Sequence, residues 1–147
     1  MPHFGLIDER ALGPEIGPLL RARLHIRGGK RRLRQGKISL GIITLADALS
    51  SALEWYLASG ERTANLSIYE GEDLRDDYTA YKVLVRSNVL DGSFDFKAFD
   101  RLLERALYEE LSLDPKPIVE GIDSIMTQLG VMPFDEGELP PEDPSAI

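Results

Sequence analysis

Two apolar stripes separated by a single glycine turn constrain this chain more than any other feature. Leu19, Ala22, Ile26, Gly29 and Leu33 recur at steps of three and four, and so do Ile38, Ile42, Leu45, Leu49, Ala52 and Tyr56. Such steps line side chains along one face of a helix. Gln35-Gly36 stands between the stripes, and glycine accepts the left-handed conformation that closes helices. Two helices joined by so short a turn pack antiparallel as a hairpin. Gly13-Pro14 or Gly17-Pro18 is expected to open the first of them, since proline is tolerated in a first turn.

Helical spacing continues beyond the hairpin. Residues 59–72, broken by Gly60, Asn65 and Gly71, read as a loop. Tyr78, Tyr81, Val85 and Val89 restart the pattern; the Val83, Val85 alternation also admits a strand, and helix is the preferred reading. After the Asp91-Gly92-Ser93 turn, Asp95 is placed to cap a helix, with Phe94 and Phe99 as a hydrophobic staple and Phe96, Phe99, Leu103, Ala106, Leu107 and Leu111 facing inward. The last helix has Asp114 as its expected cap, Pro115 in its first turn, and Ile118, Ile122, Ile125 and Leu129 as its stripe. Gly130 closes it, with Val131 folding back toward Met126. The remainder, VMPFDEGELPPEDPSAI, is rich in proline and acid and reads as an extended arm or tail. The expected fold is all-α: one five-helix bundle over residues 1–130, followed by an acidic C-terminal tail over 131–147.

Composition narrows the chemistry. The 147 residues are 43% hydrophobic and 29% charged, as in an ordinary globular domain. Cysteine is absent, which excludes disulfides, thiol catalysis and sulfur-based zinc sites. Only His3 and His25 are present, too few for a multi-histidine metal site within one chain. No apolar run is read as approaching the roughly 20 residues that span a bilayer. The opening MPHFGLIDER lacks the basic and apolar regions of a signal peptide, so a cytoplasmic address without membrane association is expected.

The net charge of −8 is an average over two opposed regions. Arg21, Arg23, Arg27, Lys30, Arg31, Arg32, Arg34 and Lys37 crowd a stretch that contains no acid. From Asp91 onward 14 acidic residues stand against only Lys97, Arg101, Arg105 and Lys116. On the first long helix Arg23, Arg27, Lys30, Arg34 and Lys37 form a row beside the apolar stripe, the candidate binding residues of the chain. A row of this kind neutralises phosphates, which would give salt-dependent binding to nucleic acid or nucleotide. No aromatic residue is interleaved for base stacking, however, and the C-terminal acids offer the row a partner within the chain or a second subunit.

Other candidates have structural readings. Gly28-Gly29 inside the helix costs about 1 kcal/mol per glycine relative to alanine, and Gly29 lies on the apolar stripe, so close approach of a second helix is expected to offset it. The acids Glu70, Glu72, Asp73, Asp76 and Asp77 have the oxygen chemistry of a magnesium or calcium site, but acids also suit a helix start, and Asp73 is expected to cap the helix ahead. His25, flanked by Arg21, Arg23 and Arg27, reads as a partly exposed helix residue. Trp55 and Tyr56 suit the edge of a core or a subunit contact. No nucleophile turn and no cofactor motif is present.

The run ARLHIRGGKRRLRQGKISLGIITLADALSSALEWY, residues 22–56, resembles the first hairpin of HEPN-type helical domains: a helix ending in a polar-glycine turn, then a helix rich in small residues, here Gly41, Ala46, Ala48 and Ala52. LRQGKISLGIITLADAL is also similar to a tetratricopeptide unit, but no second unit follows. HEPN-type ribonucleases carry an arginine, a polar residue and a histidine a few positions on. Arg86-Ser87-Asn88 is the corresponding place and no histidine follows it; Arg21 and His25 have three residues between them and lie on the wrong helix. The resemblance therefore implies a helical bundle, dimerisation, and association with a partner protein, nucleic acid or nucleotide, without nuclease activity. The expected function is a non-enzymatic interaction or assembly module acting as a homodimer. Nucleic-acid or nucleotide binding by the basic helix is the alternative.

Overall fold

A computed structural model describes residues 7–142. Among these the fold is all-α: α1 (Glu9–Arg34), α2 (Ile38–Leu57), a single turn α3 (Gly60–Thr63), α4 (Asp77–Arg86), α5 (Phe96–Ala106) and α6 (Lys116–Leu129), then a 3₁₀ turn at Glu136–Glu138. The region around Val83 and Val85 is helix, and the 59–72 loop holds one helical turn.

Helix α1 starts earlier than either Gly-Pro pair. The Asp8 carboxylate accepts the Ala11 N–H at 3.4 Å, and the chain kinks at Gly13, where φ is 86°. Only the longer part of α1 begins at Pro14. Helices α1 and α2 run antiparallel, as three contacts show: Arg21 to Ser51, Arg32 to Thr44, and Gly29 beside Gly41 and Leu45. At the crossing a Cβ on Gly29 would lie 2.7 Å from Leu45 Cδ2, and one on Gly41 would lie 2.5 Å from Leu33 Cδ2. Both glycines are therefore required by helix contact, as expected for Gly29.

The other helices close the core around α2. Ser39 pins the end of α5 to the start of α2: its hydroxyl donates to Glu109 O at 2.7 Å and accepts from Leu111 N at 2.8 Å. Tyr78, Tyr81, Phe94, Phe96 and Phe99 form a ring cluster between α4 and α5, with Phe94 and Phe99 centroids 5.6 Å apart in the expected staple. Asp95 caps α5 through Ala98 N at 3.0 Å. Gly130 ends α6 at φ 93°, and Val131 N donates back to Met126 O at 2.9 Å. Ile42, Leu45, Leu53, Leu84, Ile122, Ile125 and Met126 are fully enclosed.

Several local expectations are corrected. Asp76, not Asp73, caps α4, accepting from Thr79 N at 3.0 Å. Asp114 serves the first turn of α6 through Lys116 N at 3.0 Å, but Pro115 holds the cap position. The stripe of α4 stops before Val89 because Asn88 turns left-handed at φ 62°. Leu107 is exposed, since α5 ends one residue before it. Finally, α2 is itself 20 residues long and apolar enough to cross a membrane by length and composition. Its serines, threonine and small residues disguise that run in the sequence. In this fold it is the central core helix, with Ile42, Leu45, Ala48, Ala52 and Leu53 enclosed.

Candidate functional site: the cationic face of α1

The face of α1 away from α2 carries the basic row, and residues 131–142 lie across it. Arg23 donates through Nε to Val131 O at 3.0 Å, and its guanidinium stands 5.4 Å from the Phe134 ring centre. Arg27, only 9% exposed, donates to Pro140 O at 2.7 Å and faces Glu142 at 3.5 Å. Arg31 meets the other Glu142 oxygen at 2.5 Å. Val131 and Leu139 are buried, and Val131, Met132 and Phe134 join the segment to the hydrophobic core. Carboxylate, carbonyl and apolar contacts together form a strap on the helix. The acidic C-terminal segment, expected as an extended tail, has this arrangement as far as Glu142; residues 143–147 lie outside the described residues.

The remainder of the row divides. Lys30 pairs with Asp123 of α6 at 2.7 Å. Arg34 is the last residue of α1, and Lys37, expected on the same helix, lies beyond the left-handed Gly36 as the N-cap residue of α2. Both are exposed, and their side chains have no partner among the described residues. Burial lowers the pKa of Arg23, with Glu138 opposing the shift. Burial and neighbouring Arg31 lower that of Arg32, with Glu142 opposing. Guanidinium groups nevertheless keep their charge in proteins, so the strap meets a persistent cationic surface.

Arg31 is absent from the row read in the sequence, although Arg23, Arg27 and Arg31 are each four residues apart and belong to one helix face. That spacing was the available signal. His25 is fully buried, not partly exposed. On the helix His25 falls beside Arg21 and Arg32, whose side chains bond Ser51 and Thr44 of α2, so burial extends past the apolar stripe onto this flank.

Beside the open end of the row lies a groove of about 340 Å³, lined by Lys30, Leu33, Arg34, Asp114, Pro115, Lys116 and Val119. A second groove, about 610 Å³, lies between α2 and the 73–77 loop and is lined by Leu53, Glu54, Leu57, Asp73, Leu74 and Asp77 among others. The acids of that loop are engaged separately. Asp73 binds Arg75 at 3.0 Å, Asp76 caps α4, and Asp77 accepts from the Ser50 hydroxyl. Glu72 holds Arg86 through two bonds of 2.7 Å, which brings its pKa down to about 2. Among the described residues no three acids or histidines converge in a way that would hold a metal ion. Arg86, where the resemblance would look for a nuclease arginine, is further committed to Ser67 O at 2.7 Å and to the Tyr69 ring, 3.7 Å away.

Comparisons with protein-family models, curated proteins and solved structures return no match to this chain.

Proposed function

We propose that this chain is a non-enzymatic, HEPN-like interaction or assembly module that works in the cytoplasm as a homodimer. In this reading the helices other than the single turn α3 form the bundle, and the acidic C-terminal segment serves as its strap. The observation that carries it is the contrast between used and unused surface. Most of the basic row is occupied by the chain itself, whereas Leu107 and Tyr108 stand 59% and 85% exposed. Leu40, 44% exposed, lies at the same end, where Ser39 fastens α2 to residues 109–111. Exposed aliphatic and aromatic groups gathered at one end favour burial in a subunit contact. The HEPN-like element is supported by the long hairpin, whose second helix turns Gly41, Ala48 and Ala52 inward.

Light scattering should return a mass near twice the chain's 16.4 kDa. The double variant Leu107→Glu, Tyr108→Glu should reduce it to one chain while leaving the far-ultraviolet circular dichroism unchanged. A wild-type mass of one chain at micromolar concentration would reject the dimer.

Nucleic-acid or nucleotide binding is the second reading, favoured by the unpartnered Arg34 and Lys37. Two phosphate contacts would give a log-log salt slope of about −1.4 on single strands and about −1.8 on duplex. A flat salt response would remove this reading.

A further inference from the structure

The strap shows, on α1 itself, what this helix captures: an acidic segment that runs extended past its 3₁₀ turn, from Leu139. Guanidinium groups hold the Glu142 carboxylate and the Pro140 carbonyl, while Met132 and Phe134 lie beside Ile26 and Arg27 as the apolar contact. The groove at the C-terminal end of α1 repeats these components without an occupant from the described chain. Its floor is aliphatic, from Leu33, Pro115 and Val119, and its rim carries the cations Arg34 and Lys116. Neither of those side chains has a partner among the described residues. The remaining rim cation, Lys30, is held by Asp123.

We propose that this groove binds an extended acidic peptide of a partner protein. Its carboxylates would lie on Arg34 and Lys116, and a small apolar side chain such as leucine or proline on the aliphatic floor. The volume, about 340 Å³, falls at the lower end of ligand-sized pockets. It suits one anchoring side chain with flanking backbone. Three features favour a peptide over nucleic acid. No aromatic residue lines the groove, so bases have nothing to stack on. The floor is aliphatic, which suits a side chain and not a sugar-phosphate backbone. Asp114 stands on the rim, where it repels a dense run of phosphates more than spaced carboxylates. The proposal deepens the interaction-module reading and rests on it, but does not depend on the dimer.

The test uses the full chain and a fluorescein-labelled peptide, Glu-Glu-Leu-Pro-Glu-Glu, in an anisotropy titration. Saturable binding is expected, weakened about tenfold by Arg34→Glu and again by Lys116→Glu, the scale of one charge-assisted contact. Lys37→Glu makes the same charge change outside the groove lining and should shift affinity clearly less than Arg34→Glu, about twofold, since its exposed side chain acts only through solvent. Thermal melts of each variant establish that the fold is retained. Three results would overturn the proposal: no saturable binding, equal losses in all three variants, or tighter binding of a single-stranded RNA of equal charge. A light-scattering mass on the same samples separates the two ideas: a dimer that ignores the peptide sinks the groove alone.

Discussion

The two ends of the basic row on α1 are built from the same kinds of residue and have opposite surroundings. Arg27 and Arg31 are buried and Arg23 half-buried, and each has a carboxylate, carbonyl or ring from residues 131–142. At Arg34, the last residue of α1, and at Lys37, just past the turn into α2, they face solvent. What separates the two is a segment more than a hundred residues away in the chain. A cationic helix face is thus not in itself a binding surface; its role depends on what the rest of the chain lays across it. The enclosed end serves cohesion and the open end remains available for contact.

That contrast can be broken at several levels. The largest effect should come from the hairpin on which both ends rest. Gly29→Val would force side-chain carbon into Leu45 and should destabilise the fold by about 3 kcal/mol in urea denaturation. Next, Arg31→Ala leaves Glu142 with only its longer contact to Arg27 and should cost about 2 kcal/mol. Arg34→Ala, the same chemistry at the open end, should cost under about 0.5 kcal/mol. Equal losses from the two arginine variants would remove the distinction between the ends. The smallest effect lies off α1, at the Glu72 and Arg86 pair. Folding depresses the Glu72 pKa from the usual 4.5 to about 2. The stability this contributes is present above pH 4.5 and is lost as pH falls from about 4.5 toward about 2. Glu72→Gln should flatten that part of the acid titration of stability.

Local features of the fold were legible in the sequence. The hairpin stripes, the Asp95 cap with its Phe94 and Phe99 staple, and the Gly130 termination each depend on neighbours within a few residues. The Gly29 contact was legible because a glycine weakens a helix interior, and one placed on the apolar stripe faces the neighbouring helix directly. The strap was not. Proline and acid content describe residues 131–142 as a solvated tail, and no local pattern states that Glu142 reaches Arg27 and Arg31. The burial of His25 escapes for a related reason: periodicity finds one apolar stripe, while the covered surface of α1 reaches past it to the flank where Arg21 and Arg32 meet α2. Leu107 fits the α5 stripe numerically but lies past the helix end, where the spacing no longer fixes direction. In the candidate site, the cations were visible and their division into occupied and open was not.

The Gly29 and Gly41 crossing has a mechanical consequence. Each glycine lies beneath a leucine of the opposite helix, Leu45 over one and Leu33 over the other. Sliding α1 along α2 by a single helical turn, about 5.4 Å, would carry both leucines off their seats and onto side chains with no room for them. The pair therefore acts as a two-point detent. It fixes the hairpin at one setting: beyond the Gly13 kink, the two helices cannot slide past each other without unseating both leucines.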